Sequence, residues 1–167
     1  MRTQVIPGQT VRVADEVWIA AALLHMEQPG REDFAIEEIL ARVAKENITG
    51  ELRPGVMVHA YLHCVANRAP NPTGYRMLFA TGQNTRRLYR LGDRAHPLRK
   101  GKITPRRDQI PVRYEGLLKW YETEYIKRGP APQGALDSVL ALRGLGSEIW
   151  QGVDPDEYVR QLREGWE

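Results

Sequence analysis

His59 and His63 stand four residues apart in the segment HAYLH, a spacing that puts two imidazoles on one face of a helix, where they can share a zinc ion. Hydrolytic zinc chemistry on such a helix needs a glutamate directly after the first histidine. Ala60 occupies that position and no third ligand is obvious in the sequence, so neither a metal nor a cofactor is expected. Cys64 is the single cysteine and stands alone on the same helix, which reads as mostly buried. The chain has no Gly-rich phosphate loop and no G-x-S-x-G elbow. The adjacent acids Glu37-Glu38 and Asp156-Glu157 read as helix-surface and helix-start charges. Together these readings predict a protein that is not an enzyme.

The same helix carries side chains suited to nucleic acid. Double-stranded DNA is read by an exposed helix face in the major groove, with cations reaching the phosphates on either side. His59, His63 and Asn67 project to one side of the helix, and Arg53 and Arg68 lie near its ends. A polar loop further on adds Gln83, Asn84, Arg86 and Arg87. These nine residues are the candidate DNA contacts, although a solvated helix face and an exposed loop would carry the same types. Downstream, Arg94, Arg99, Lys100, Lys102, Arg106 and Arg107 have two readings: they track a phosphate backbone, or they keep a linker soluble and fold back on an acidic segment.

Charge is unevenly distributed. The net formal charge is +3 over 167 residues, with residues 1–83 at −1, residues 84–128 at +8 and residues 129–167 at −4. A basic middle and an acidic end imply two different partners or one intramolecular embrace. No apolar run approaches bilayer length and no secretory signal pattern opens the chain, so no membrane partner is expected. With one cysteine, the expected compartment is the reducing cytoplasm.

The elements that must position these residues can be read from periodicity. Ala14–Met26 is a helix candidate with Asp15 and Glu16 at its start, ended by Gln28-Pro29-Gly30. Ile36, Ile39, Leu40 and Val43 form an apolar stripe on a second helix. Pro54 is placed to open a third, on which Val58, Tyr61, Leu62 and Val65 are expected to pack inward. The runs Tyr75–Phe79 and Arg87–Leu91 predict a β-hairpin with a long basic tip. EVWIAAALL, FAIEEILARV, a helix after RPG and then GQNTRRLYRLG resemble the winged helix-turn-helix domains of prokaryotic DNA-binding proteins. The resemblance covers roughly residues 10–93 and implies an α+β fold with residues 1–93 as the DNA-binding domain.

Residues 94–134 read as a basic linker containing a further helix at 112–127, where Tyr114, Leu117, Leu118, Tyr121 and Tyr125 align and call for a covering surface, a homodimer being one candidate. Residues 135–167 are expected to be an acidic, aromatic tail, extended and helical. Leu142 to Trp166, LRGLGSEIWQGVDPDEYVRQLREGW, resembles the toxin-binding segments of VapB-like type II antitoxins, which neutralise PIN-domain ribonucleases. That resemblance covers about 25 of the 167 residues. It implies a PIN-like toxin as partner, held by Leu142, Ile149, Trp150, Tyr158, Val159, Leu162 and Trp166, with Arg160 or Arg163 entering an acid-lined active site in place of its metal. The resulting expectation is an antitoxin that represses its own operon. The rival is a winged-helix regulator or nucleic-acid accessory protein without a toxin, whose C-terminal segment packs internally or mediates self-association.

Overall fold

A computed structural model describes residues 11–70 and 73–128. They belong to the first of two units into which the chain divides, Met1–Ala131, and Pro132–Glu167 is the second. Every expectation for the tail, from Leu142 to Trp166, therefore lies outside the described residues. Among the described residues the fold is α+β, with four α-helices and a three-stranded antiparallel sheet.

Helix α1 (Val13–Glu27) is the centre of the unit. It is buried almost all round, with Val17, Trp18, Ile19, Ala20, Ala21 and Ala22 all closed to solvent, as expected for a helix that is apolar on more than one face. Three consecutive alanines let neighbouring elements approach its backbone closely. Its first-turn acids, foreseen as N-terminal charges, are also buried ion-pair partners: Asp15 meets Lys102 at 2.6 Å, and Glu16 meets Arg53 at 2.6 Å. Burial raises the Asp15 carboxyl, opposed by the Lys102 hydrogen bond.

Strand β1 (Phe34–Ala35) leads directly into helix α2 (Ile36–Glu46). Glu38 accepts the Ala35 N–H at 2.8 Å, the half of a capping box that an alanine N-cap allows. Ile36, Ile39 and Val43 face the core. The helix stops at Asn47, whose φ of +47° is the left-handed conformation that asparagine tolerates. Arg42 ties α2 to α1 through Glu27 at 2.6 Å and bonds Glu46, which also accepts the Tyr114 hydroxyl at 2.6 Å.

Helix α3 runs Gly55–Val58 and continues as a wide π-helical turn, His59–His63. The wide turn, closed by Cys64 N–H on the His59 carbonyl at 3.0 Å, stretches the buried spacing towards four. Val56, Ala60 and Cys64 pack inward. The expected inward set is corrected accordingly: Val65 is buried, but Val58 and Tyr61 face solvent.

A hairpin follows. Strand β2 (Leu78–Ala80) and strand β3 (Thr85–Leu88) are joined by the four residues Thr81–Asn84, a shorter tip than the sequence predicts. Strand β1 pairs with the other edge of β3, giving the order β1-β3-β2.

Residues 94–111, expected to be an extended linker, instead lie on the unit. The His96 N–H bonds Ala66, the Gly101 N–H bonds Gly74, and Lys102 accepts from Arg76. A side chain at position 101 would sit 2.6 Å from the Gly74 carbonyl oxygen, so only glycine permits this crossing. Two short 3-10 turns, Arg107–Gln109 and Val112–Tyr114, precede helix α4 (Glu115–Trp120) and its π-helical continuation Tyr121–Tyr125. The aromatic stripe finds its cover within the unit. Tyr121 packs edge-on against Trp18 with ring centroids 5.6 Å apart, and Tyr125 lies 4.8 Å from the His25 ring.

His25 is enclosed by Phe34, Tyr125 and the Leu88 N–H. Burial, with Arg90, Arg128, Arg87 and Arg31 adding repulsion, pulls it from 6.5 down to about 3. It is therefore neutral in the folded protein, while the unfolded chain takes up the proton below pH 6.5. Stability is complete above that value and falls as pH drops towards about 3, by on the order of 3–5 kcal/mol from this group. Urea unfolding at a series of pH values should show this decline, and His25→Gln should flatten it.

Candidate nucleic-acid interface

The two ends of α3 are fixed by arginines. At its start, Arg53 donates to Glu16 at 2.6 Å and to the Val11 carbonyl at 2.8 Å. At its end, carbonyls of the kind a helix terminus leaves short of intrahelical partners are reached by two buried guanidiniums. Arg86 reaches the Ala60 and Tyr61 carbonyls, both at 3.2 Å. Arg99 reaches those of Leu62 and His63, both at 2.8 Å, and also Tyr75, Arg68 and Ala69. A cation at a helix C-terminus is stabilised by the helix dipole. Neither arginine has a carboxylate among its hydrogen-bond partners, and burial lowers Arg99 and draws Arg86 down to about 10. Both remain charged at neutral pH.

Arg86 and Arg87 were expected at a solvent-facing hairpin tip, and this is corrected: both are closed to solvent. Arg86 also bonds the Gly82, Gln83 and Thr85 carbonyls, bracing the tip from within. Arg87 pairs with Asp93 through two bonds of 2.7 Å and lies 4.5 Å from the Phe79 ring centre. Asn67 is likewise engaged, donating to the Ala80 carbonyl at 2.9 Å and accepting the Ala80 N–H at 2.8 Å. With the parallel bridge between Val65 and Leu78, this joins the end of α3 to the hairpin.

His59 is half-buried, with Nδ1 3.4 Å from the Cys64 sulfur, and burial together with His63 and Arg53 lowers it to about 4. The His59 and His63 rings meet edge-on with centroids 4.9 Å apart. Among the described residues no three His, Cys, Asp or Glu side chains gather to hold a metal ion, and Cys64 is a buried thiol pushed up to about 12. Arg68 is half-buried over the Tyr61 ring at 5.4 Å. Gln83 and Asn84 are exposed at the tip, as expected.

Of the six downstream cations, Arg99 and Lys102 are internal, and Arg106 and Arg107 pair with Asp108 and Glu115. Arg94 and Lys100 are exposed. The segment carrying them is held to the end of α3 by the bonds from His96 and Arg99. The Arg99 side chain thereby brings this segment to the Arg68 carbonyl.

Two features of this surface were missed by reading residues singly. The outward side of α3 is apolar, formed by Met57, Val58 and Tyr61, with exposed Leu52 preceding it. From Leu52 to Gly92 the sequence contains no aspartate or glutamate, although the chain holds 21 acids. That acid-free run contains α3 and both hairpin strands, and it was visible in the sequence as a gap in charge. One carboxylate from outside it reaches the tip, Asp33, which accepts the Thr81 hydroxyl at 2.6 Å.

Removing either buried arginine leaves several carbonyls without donors. Arg99→Ala and Arg86→Ala should each lower unfolding free energy by about 3 kcal/mol, read as a shift in the denaturant midpoint. Gln83→Ala and Asn84→Ala should leave the midpoint unchanged.

No protein-family model matches the chain, and neither the curated proteins nor the solved structures contain a match to it.

Proposed function

We propose that the first unit is a winged helix-turn-helix module that binds duplex DNA through α3 and the β2–β3 hairpin. The observation that carries this reading is the acid-free run from Leu52 to Gly92, because it coincides with those two elements and a polyanion is repelled by carboxylates. The element order α1-β1-α2-α3-β2-β3, with sheet order β1-β3-β2, supports the same assignment. Arg68, Arg94 and Lys100 are the phosphate-contacting cations in this reading. Gln83 and Asn84 contact DNA from the hairpin tip. Arg53, Asn67, Arg86 and Arg87 hold the scaffold.

The tail extends the proposal. Its resemblance to VapB-like segments supports a type II antitoxin, in which Trp150, Tyr158 and Trp166 anchor a PIN-like ribonuclease and Arg160 or Arg163 pairs with its active-site acids.

Labelled duplex from upstream of the reading frame, titrated by anisotropy, tests the first part. Three phosphate contacts predict that affinity falls roughly 40-fold between about 50 and 200 mM salt, and Arg68→Ala should reduce the slope of log affinity against log salt by about one. Binding that is absent at low salt, or insensitive to salt, rejects the module. Co-expression with the product of the adjacent reading frame tests the second part: the tail should be cleaved by protease in the isolated chain and protected in the complex. A tail resistant in the isolated chain rejects the antitoxin reading and leaves a regulator without a toxin.

A further inference from the structure

Met57 is 59% exposed, Val58 45% and Tyr61 38%, and positions 57, 58 and 61 share one side of a helix. This is an apolar strip where a reader of base-edge hydrogen bonds would carry donors. Among the polar side chains of α3 and its end, His59 turns towards Cys64 and meets the His63 ring edge-on, and Asn67 is bonded to Ala80 at both ends of its amide. The strip has a cationic margin. Arg68 lies over the Tyr61 ring, and the exposed Arg94 and Lys100 belong to the segment that the His96 and Arg99 bonds hold to the end of the helix. No carboxylate is contributed by Leu52 to Gly92.

An apolar strip inside a positive rim complements a surface with apolar points between rows of negative charge. The major groove of A·T-rich duplex DNA is such a surface, since each thymine places its C5-methyl there between two phosphate backbones. A neutral apolar protein patch would match the strip but leave the cationic margin without counterparts. We infer that Met57 and Val58 contact thymine methyl groups in the major groove, so that the module prefers A·T-rich duplex by methyl contact and not by base-edge hydrogen bonding. This rests on the DNA-binding reading and specifies the class of target.

Deoxyuridine differs from thymidine only by that methyl, so the full-length chain should be titrated with an alternating A·T duplex and with its deoxyuridine counterpart at low salt. Affinity should fall about fourfold for each methyl engaged. The same step should vanish in Met57→Ala/Val58→Thr, whose side chains are exposed and whose denaturant midpoint should match the parent. A G·C duplex carrying 5-methylcytosine, which places a methyl at the equivalent position, should bind more tightly than the unmethylated duplex. Equal affinity for the thymidine and deoxyuridine duplexes overturns the inference while leaving the DNA-binding reading standing. Salt-insensitive or absent binding of every duplex overturns both. Loss of self-association in the double variant, with the methyl discrimination intact, would assign the strip to a second copy of the chain and overturn the inference.

Discussion

The end of α3 depends on two guanidiniums meeting a cluster of backbone carbonyls. The carbonyls of Ala60, Tyr61, Leu62 and His63 all accept from Arg86 or Arg99, and Leu62 and His63 accept in addition from the Val65 N–H and the Thr73 hydroxyl. A guanidinium suits this task because its donors form a rigid planar fork and its charge persists when burial draws its affinity for the proton down. The two arginines come from opposite sides, one from the middle strand of the sheet and one from the segment after the hairpin. Helix, sheet and trailing segment are thereby held at a single point.

This arrangement changes the meaning of the positive charge in the middle of the chain. Much of it is architectural: Arg86 and Arg99 serve carbonyls, Arg87 and Arg90 pair with Asp93 and Glu32, and Lys102 neutralises Asp15 beneath α1. Removing one member of such a pair strands the other in a poorly solvated place, which is why buried pairs are costly to break even when their net contribution is small. The charge left on the surface is spread over two regions: Arg94 and Lys100 in the segment held to the end of α3, and Arg113, Lys119, Lys127 and Arg128 along and beyond α4. Net charge along the sequence therefore overstates what is available to an outside partner.

Much of the fold was legible in the sequence because α1 and α2 are long enough for periodicity to speak, and because Asn47 and Pro54 punctuate them with recognisable chemistry. Strand β1 was not legible; two residues carry no alternation to detect. The inward face of α3 was misread because its wide turn replaces the usual period, and small residues at Ala60 and Cys64 make the contact where larger apolar neighbours were expected. The candidate site was legible only in part. Gln83 and Asn84 lie where turn chemistry placed them, but an arginine in a polar loop looks the same whether it faces water or a helix end more than twenty residues away. The segment 94–111 was misread for the same reason, since its anchoring bonds run from backbone and guanidinium to distant carbonyls and leave no local pattern.

The join between α3 and the hairpin has a consequence of its own. With Asn67 bonded to Ala80 through both amide atoms, and Val65 bridged to Leu78, the relative position of the two elements is fixed in advance of any engagement. Little freedom is left to lose on engagement, which favours affinity. A join this rigid would hold any bound surface to the fixed spacing of the two elements, since neither could shift to meet it.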